Sequence, residues 1–177
     1  MKIVHLLMTA MVVGALGAAA YAQQQAAPSP AAATPLATTA EAVTQVFRRG
    51  SGTASAGGAA NFTGQDNVQT WFRAAGSQMG GATVTFSPGA RSAWHAHGKG
   101  QLLVVTDGCG WTQVRGGAIE RVCAGDVVWA APGQVHWHGA TATTAMSHVA
   151  VSESGEGASV RWLEQVSDED YRKGPPA

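Results

Sequence analysis

Gly89–Gly108 reads GARSAWHAHGKGQLLVVTDG. Two histidines, His95 and His97, stand two residues apart, and Gln101 follows four residues after the second. Residues i and i+2 of a strand face the same side. Read as a strand, the stretch aims two imidazoles at one point. The run that follows, Gln101–Thr106, is built of β-formers.

The same pattern continues on both sides. ATVTF (82–86), SAWHAH (92–97), QLLVVT (101–106), WTQVR (111–115), AIERV (118–122), DVVWAA (126–131), QVHWH (134–138) and MSHVAVS (146–152) are short runs of β-formers. Pro-Gly, Gly-Lys-Gly, Asp-Gly-Cys-Gly, Gly-Gly and Ala-Gly-Asp separate them. Such spacing predicts an all-β sandwich or closed barrel. Upstream, TQVFRR (44–49) and VQTWF (68–72) read as two further strands. WTQVRGGAIERV predicts a hairpin turning at Gly116-Gly117. SDEDYRK (167–173) offers Ser167 as an N-cap with Asp170 three residues on, which predicts a short terminal helix.

The N-terminal 43 residues have a different character. Residues 1–22 carry one lysine, an apolar run and the ending Ala20-Tyr21-Ala22. That is the form of a cleaved secretory signal, and it predicts a periplasmic or secreted protein with no membrane attachment after cleavage; an uncleaved membrane anchor is the alternative. Residues 23–43 are rich in Ala, Pro and Thr and nearly free of bulky side chains, the composition of a disordered tether. One folded domain is expected over 44–172.

Formal net charge is zero and charged residues make up 12% of the chain. No basic field is available to grip nucleic acid. A phosphate loop of the Gly-x-x-x-x-Gly-Lys-Ser/Thr type and a Gly-x-Ser-x-Gly nucleophile elbow are both missing. Of six histidines, five (His95, His97, His136, His138 and His148) fall within the β region. Imidazole suits first-row metals, and a barrel mouth is a natural place for one.

Gly89–Gly108 resembles the first motif of the cupins, whose last ligand is usually Glu rather than Gln. GDVVWAAPGQVH (125–136) resembles their second motif. The resemblance implies a single-domain cupin β-barrel with one metal held by His95, His97, Gln101 and His136. Across roughly Gln45–Arg172, including HWHGA and the tail VRWLEQVSDEDYR, the chain is similar to the bacterial cupin hydroxynitrile lyases. That similarity implies cleavage or formation of (R)-cyanohydrins, a small-molecule substrate, and a pocket that includes Ala82 and Val84. It also leans the metal towards Mn or Fe, while imidazole and amide donors admit Zn, Ni and Co as well. Cupins commonly pair through barrel faces, which implies a homo-oligomer, dimer or tetramer.

The donor set can be argued on its own chemistry. Three neutral imidazoles and a carboxamide leave a divalent ion its whole charge, whereas a Glu at position 101 would cancel one unit. Such an ion is a strong Lewis acid and a poorer redox centre. That weighs against an Fe(II) dioxygenase, the rival enzyme reading. A non-catalytic binding protein is the third alternative. In TTAMSHVAVS, period two places Met146, His148, Ala150 and Ser152 on one face. His148 is then the candidate general base, with an expected pKa near ~6.5, and a hydrogen-bonded structural histidine is the alternative. His138 shares parity with His136 and reads as a supporting group or a rim residue. The flanking Trp94, Trp129 and Trp137 are expected to pack the barrel. Cys109 and Cys123 fall on the predicted hairpin. A two-residue turn pairs position 110 with 123, so two free thiols are the expectation and a bridge the alternative.

Overall fold

The structure, a computed structural model, describes residues 44–48, 50–73, 76–154 and 159–175. The expected signal and tether lie outside the described residues. Thr44–Ala177 forms a unit of its own. In chain order its strands are β1 (Ala54–Ser55), β2 (Phe62–Thr63), β3 (Asp66–Arg73), β4 (Met79–Phe86), β5 (Arg91–Ser92) and β6 (His95–Ala96). They continue as β7 (Gln101–Val114), β8 (Ile119–Cys123), β9 (Val127–Ala130), β10 (His136–Ala140), β11 (Met146–Glu153) and β12 (Arg161–Trp162), before the helix α1 (Asp168–Arg172).

β7 organises the rest. Its first half, Gln101–Val105, pairs with β11 on one side and β9 on the other. Its second half, from Cys109, pairs with β8 and β10. Two antiparallel sheets are thereby joined through one 14-residue strand. The first runs β1-β3-β4-β11-β7, and the second runs β7-β10-β5-β2 with β12-β6 attached to β10. A curled all-β barrel closed by a short helix is the architecture expected of a cupin.

Several local expectations need correction. Asp-Gly-Cys-Gly, expected to be a break between strands, lies inside β7. The register with β11 slips there: Ser147 faces Asp107 and His148 faces Val105. Gly108 stands at φ 67, and a Cβ on it would meet the Ala145 carbonyl oxygen at 2.0 Å. Thr106 is the bulged residue, while Gly108 stays in register opposite Met146 and is a glycine because the Ala145 backbone passes so close. SAWHAH is split into β5 and β6. Residues 44–48 of TQVFRR form no strand. Downstream, the β7–β8 pairing sets Gln113 opposite Ile119. That is one residue off a two-residue turn. The shift puts Cys109 directly opposite Cys123 with Cα atoms 4.1 Å apart, and the two form a disulfide. The free-thiol expectation is overturned because the connection is longer than the Gly-Gly pair alone suggested.

Two apolar clusters fill the interior. Val84, Phe86, Val105, Ala140 and Met146 pack between the sheets, with Phe86 fully buried. Ile119, Trp137, Val166 and Tyr171 form the second cluster, under α1. The Ser167 side chain accepts from the Asp170 amide, as the N-cap reading required. Tyr171 donates its hydroxyl to the Ala140 carbonyl at 2.9 Å. The buried Arg91 guanidinium lies 4.6 Å over the Tyr171 ring and bonds both the Val166 carbonyl and Asp168. The helix is therefore tied to β5 and β10, the strands beside the histidines.

Candidate metal centre

β6 is only two residues long, but it is placed from both sides. His136 of β10 pairs in register with His95, and Trp162 of β12 pairs with the same residue. The loop before β10 is fastened to β6 by the Gly133 amide, which donates to the His97 carbonyl at 2.8 Å. The chain then reverses: the Gly100 amide donates to the same carbonyl at 3.2 Å, with Gly100 at φ 85. A Cβ on Gly100 would meet the Trp129 ring at 2.6 Å. That close approach is why a glycine precedes Gln101, the first residue of β7. Motif spacing in sequence thus becomes proximity in space.

Five imidazoles gather here. Ring centroids of His95 lie 4.3 Å from His136, 5.2 Å from His97 and 5.2 Å from His138. His95, His136 and His138 each offer a nitrogen within 4.8 Å of the others, and this buried triad could hold a metal ion. His95, His97 and His136 share a further feature. Each directs Nδ1 to a backbone carbonyl: Ala93 at 3.0 Å, Ser159 at 2.9 Å and Gln134 at 3.1 Å. A neutral imidazole holding its proton on Nδ1 keeps the Nε2 lone pair free for a ligand. His97 Nε2 is buried and without any hydrogen-bond partner. His138 is different. Its Nδ1 lies 3.1 Å from His148 Nε2, so its partner is another ring rather than the backbone.

Gln101 Oε1 lies 3.0 Å from His136 Nε2. With the His136 proton on Nδ1, facing the Gln134 carbonyl, this contact brings two lone pairs together, an arrangement that a shared cation relieves. Neighbouring donors on one first-row ion, at roughly 2.0–2.1 Å each, stand about 3 Å apart. The residues present fit a divalent metal.

Burial keeps every ring neutral. Desolvation first, then the neighbouring His136, pushes His95 down to about 3 and His97 to about 4. Desolvation also lowers His136, and it lowers His138 far below the usual histidine value with help from His148. His148 is pushed down to about 4 by burial. The ordinary pKa expected of it is corrected, because the residue is fully buried instead of facing an open barrel.

A cavity of about 450 Å³ opens beside the cluster. His95, His97, Gln101 and His138 border it, as do Ala82 and Val84. His148 does not; it sits behind His138, against Phe86 at 5.9 Å between ring centroids. The aromatic wall is Phe62, Phe72 and Trp162, the last with its ring 4.9 Å from His95. Trp137 is core, Trp94 stacks under Arg115 and Trp129 is exposed. Sequence reading missed Trp162 and the Ser159 carbonyl, since neither belongs to a motif. Only pairing of β12 with β6 brings them in.

Comparison with known proteins gives the family. A Cupin domain family model matches residues 82–152. An (R)-mandelonitrile lyase of Granulicella tundricola is 50% identical over 130 residues, covering 73% of this chain and 99% of that protein. Among solved structures, a cupin-like protein from Thermotoga maritima superposes with a TM-score of 0.66 at 36% identity, over 75% of this chain and 98% of its own. A cupin-2 domain from Rhodospirillum rubrum, 18% identical, shares the fold at a TM-score of 0.56 over 74% and 86% of the two chains. The paired motifs, the joined sheets and these relatives together establish that the chain belongs to the cupin family.

Proposed function

We propose that this cupin is a metal-dependent hydroxynitrile lyase, cleaving or forming (R)-cyanohydrins, with His95, His97, Gln101 and His136 as its ligands. The observation that carries the reading is the convergence of three Nδ1-anchored imidazoles and one carboxamide beside an apolar cavity. It is supported by the 50% identity to a protein named (R)-mandelonitrile lyase. A bound divalent ion, Mn or Fe on the family likeness, supplies Lewis acidity at a substrate oxygen.

The chain's own residues do the rest. Phe62, Phe72 and Trp162 hold an apolar substrate body and exclude water. Ala82 and Val84 leave room for it against β4. His138 faces the cavity, and His148 faces His138. In this reading His148 takes the hydroxyl proton through its neighbour: the proton arrives at His138 Nε2 while the one on Nδ1 moves to His148 Nε2. Both rings are neutral at pH 7 and free to accept. As the C–C bond to cyanide breaks, the proton returns through the same two rings to the departing cyanide, and the aldehyde and HCN leave. The same reading takes the protein as exported and homo-oligomeric, acting on a small molecule.

The test is HCN release from mandelonitrile by protein of measured metal content. A rate well above buffer, lost on chelation and restored by metal, with (R)-mandelonitrile consumed faster, is the expected result. Fully metallated protein that releases no HCN above buffer would overturn the assignment.

A further inference from the structure

The cavity has a charged mouth. β3 and β4 pair regularly through Val68–Val84 and Thr70–Ala82, and these four residues border the cavity. The register then slips at Trp71, so that Phe72 faces Gly81 and Arg73 faces Gly80. Without the slip, alternation would send Arg73 to the opposite face of the sheet. The bulge returns it to the cavity side, a use of bulges familiar beside binding sites. Among the described residues that border the cavity, Arg73 carries the only charged side chain. It makes no ion pair with any described residue.

Arg73 also stands in a row with the metal centre. Arg73 faces Gly80, Gly80 faces Ser152, and Ser152 faces Gln101. All four border the same cavity. Three strand spacings of about 4.8 Å put the ends of the row about 14 Å apart along the sheet. Gly80 has no side chain and Ser152 a small one, so the space over the row stays open. A neutral donor cluster thus lies at one end of the row and a cation at the other, and aromatic side chains border the same cavity.

We propose that the substrate carries an anionic group remote from its reacting oxygen, and that Arg73 receives it. The chemical class is an aryl or similarly apolar alcohol, aldehyde or cyanohydrin bearing a carboxylate or comparable anion at its far end. This rests on the cavity being the reaction site, and it makes Arg73 a specificity determinant. A guanidinium pairs with a carboxylate through a planar fork, and an exposed pair is partly screened by salt.

The test uses metal-loaded protein and two probes, benzyl alcohol and 4-(hydroxymethyl)benzoate, with affinity read by calorimetry. The carboxylated probe should bind about two- to five-fold tighter, less so in high salt. Arg73→Gln should abolish that preference and leave benzyl alcohol binding unchanged. Equal affinities in the wild type would overturn the inference. A preference that survives Arg73→Gln would place the carboxylate elsewhere, and weaker binding of both probes would make Arg73 a shape element; either result also overturns it. Because binding is measured without turnover, an intact charge preference in a protein that releases no HCN would sink the lyase assignment alone.

Discussion

His97 carries a buried Nε2 with no protein partner, a state that a folded chain avoids unless something else meets the atom. The neutral rings around it set the pH behaviour of the metal-free protein. His95, His97 and His148 stand at about 3, about 4 and about 4 in the fold, and near ~6.5 when unfolded. Between those values the unfolded chain binds protons that the fold refuses. Stability is therefore complete above about pH 7 and falls as pH drops towards 4, by up to about 1.4 kcal/mol per pH unit for each such ring. Denaturant titrations of chelated protein between pH 7 and 4 check this; stability rising on acidification would contradict it. At the same scale, His148→Ala should keep its metal and lose about a hundred- to ten-thousand-fold in lyase rate. Retained activity together with retained metal would remove the proton pathway through His138.

At the scale of elements, β7 and α1 hold the parts in place. The disulfide closes a loop of sequence separation 14 between β7 and β8. Replacing both cysteines with alanine should cost about 3 kcal/mol in the loop-entropy picture, measurable as a lower denaturant midpoint. Metal content should be unchanged, because neither cysteine borders the site. Tyr171→Phe removes the bond to the Ala140 carbonyl and should cost about 1 kcal/mol. This is also the scale at which sequence reading was weakest. Asp-Gly-Cys-Gly within a β run marks either a turn or a strand that continues past a bulge, and only the partner strand decides between them. The hairpin register hung on one residue of loop length, and with it the disulfide. The helix cap was legible because Ser167 and Asp170 make a local contact that needs no tertiary partner.

Across the whole molecule, the barrel was legible from strand punctuation and the two motifs. The histidine cluster was legible from parity, since His95 and His97 flank a single residue and His136 opens a later strand. His148 was placed on the inward face by the same parity. Parity could not show that His138 stands between it and the cavity, or that burial depresses its pKa. Trp162, Phe62 and Phe72 reach the site by pairings between strands distant in sequence, which local pattern does not encode. The folded unit places its titratable donors in an apolar enclosure, so metal binding and stability should be linked. One equivalent of Mn should raise the melting temperature of chelated protein.

The ligand set is tested most directly by metal-to-protein stoichiometry in untagged wild-type, His97→Ala and His138→Ala proteins. One equivalent in the wild type and in His138→Ala, with marked loss in His97→Ala, is the predicted result. Metal retained without His97 and lost without His138 would contradict it, and would give the third imidazole of the site to His138.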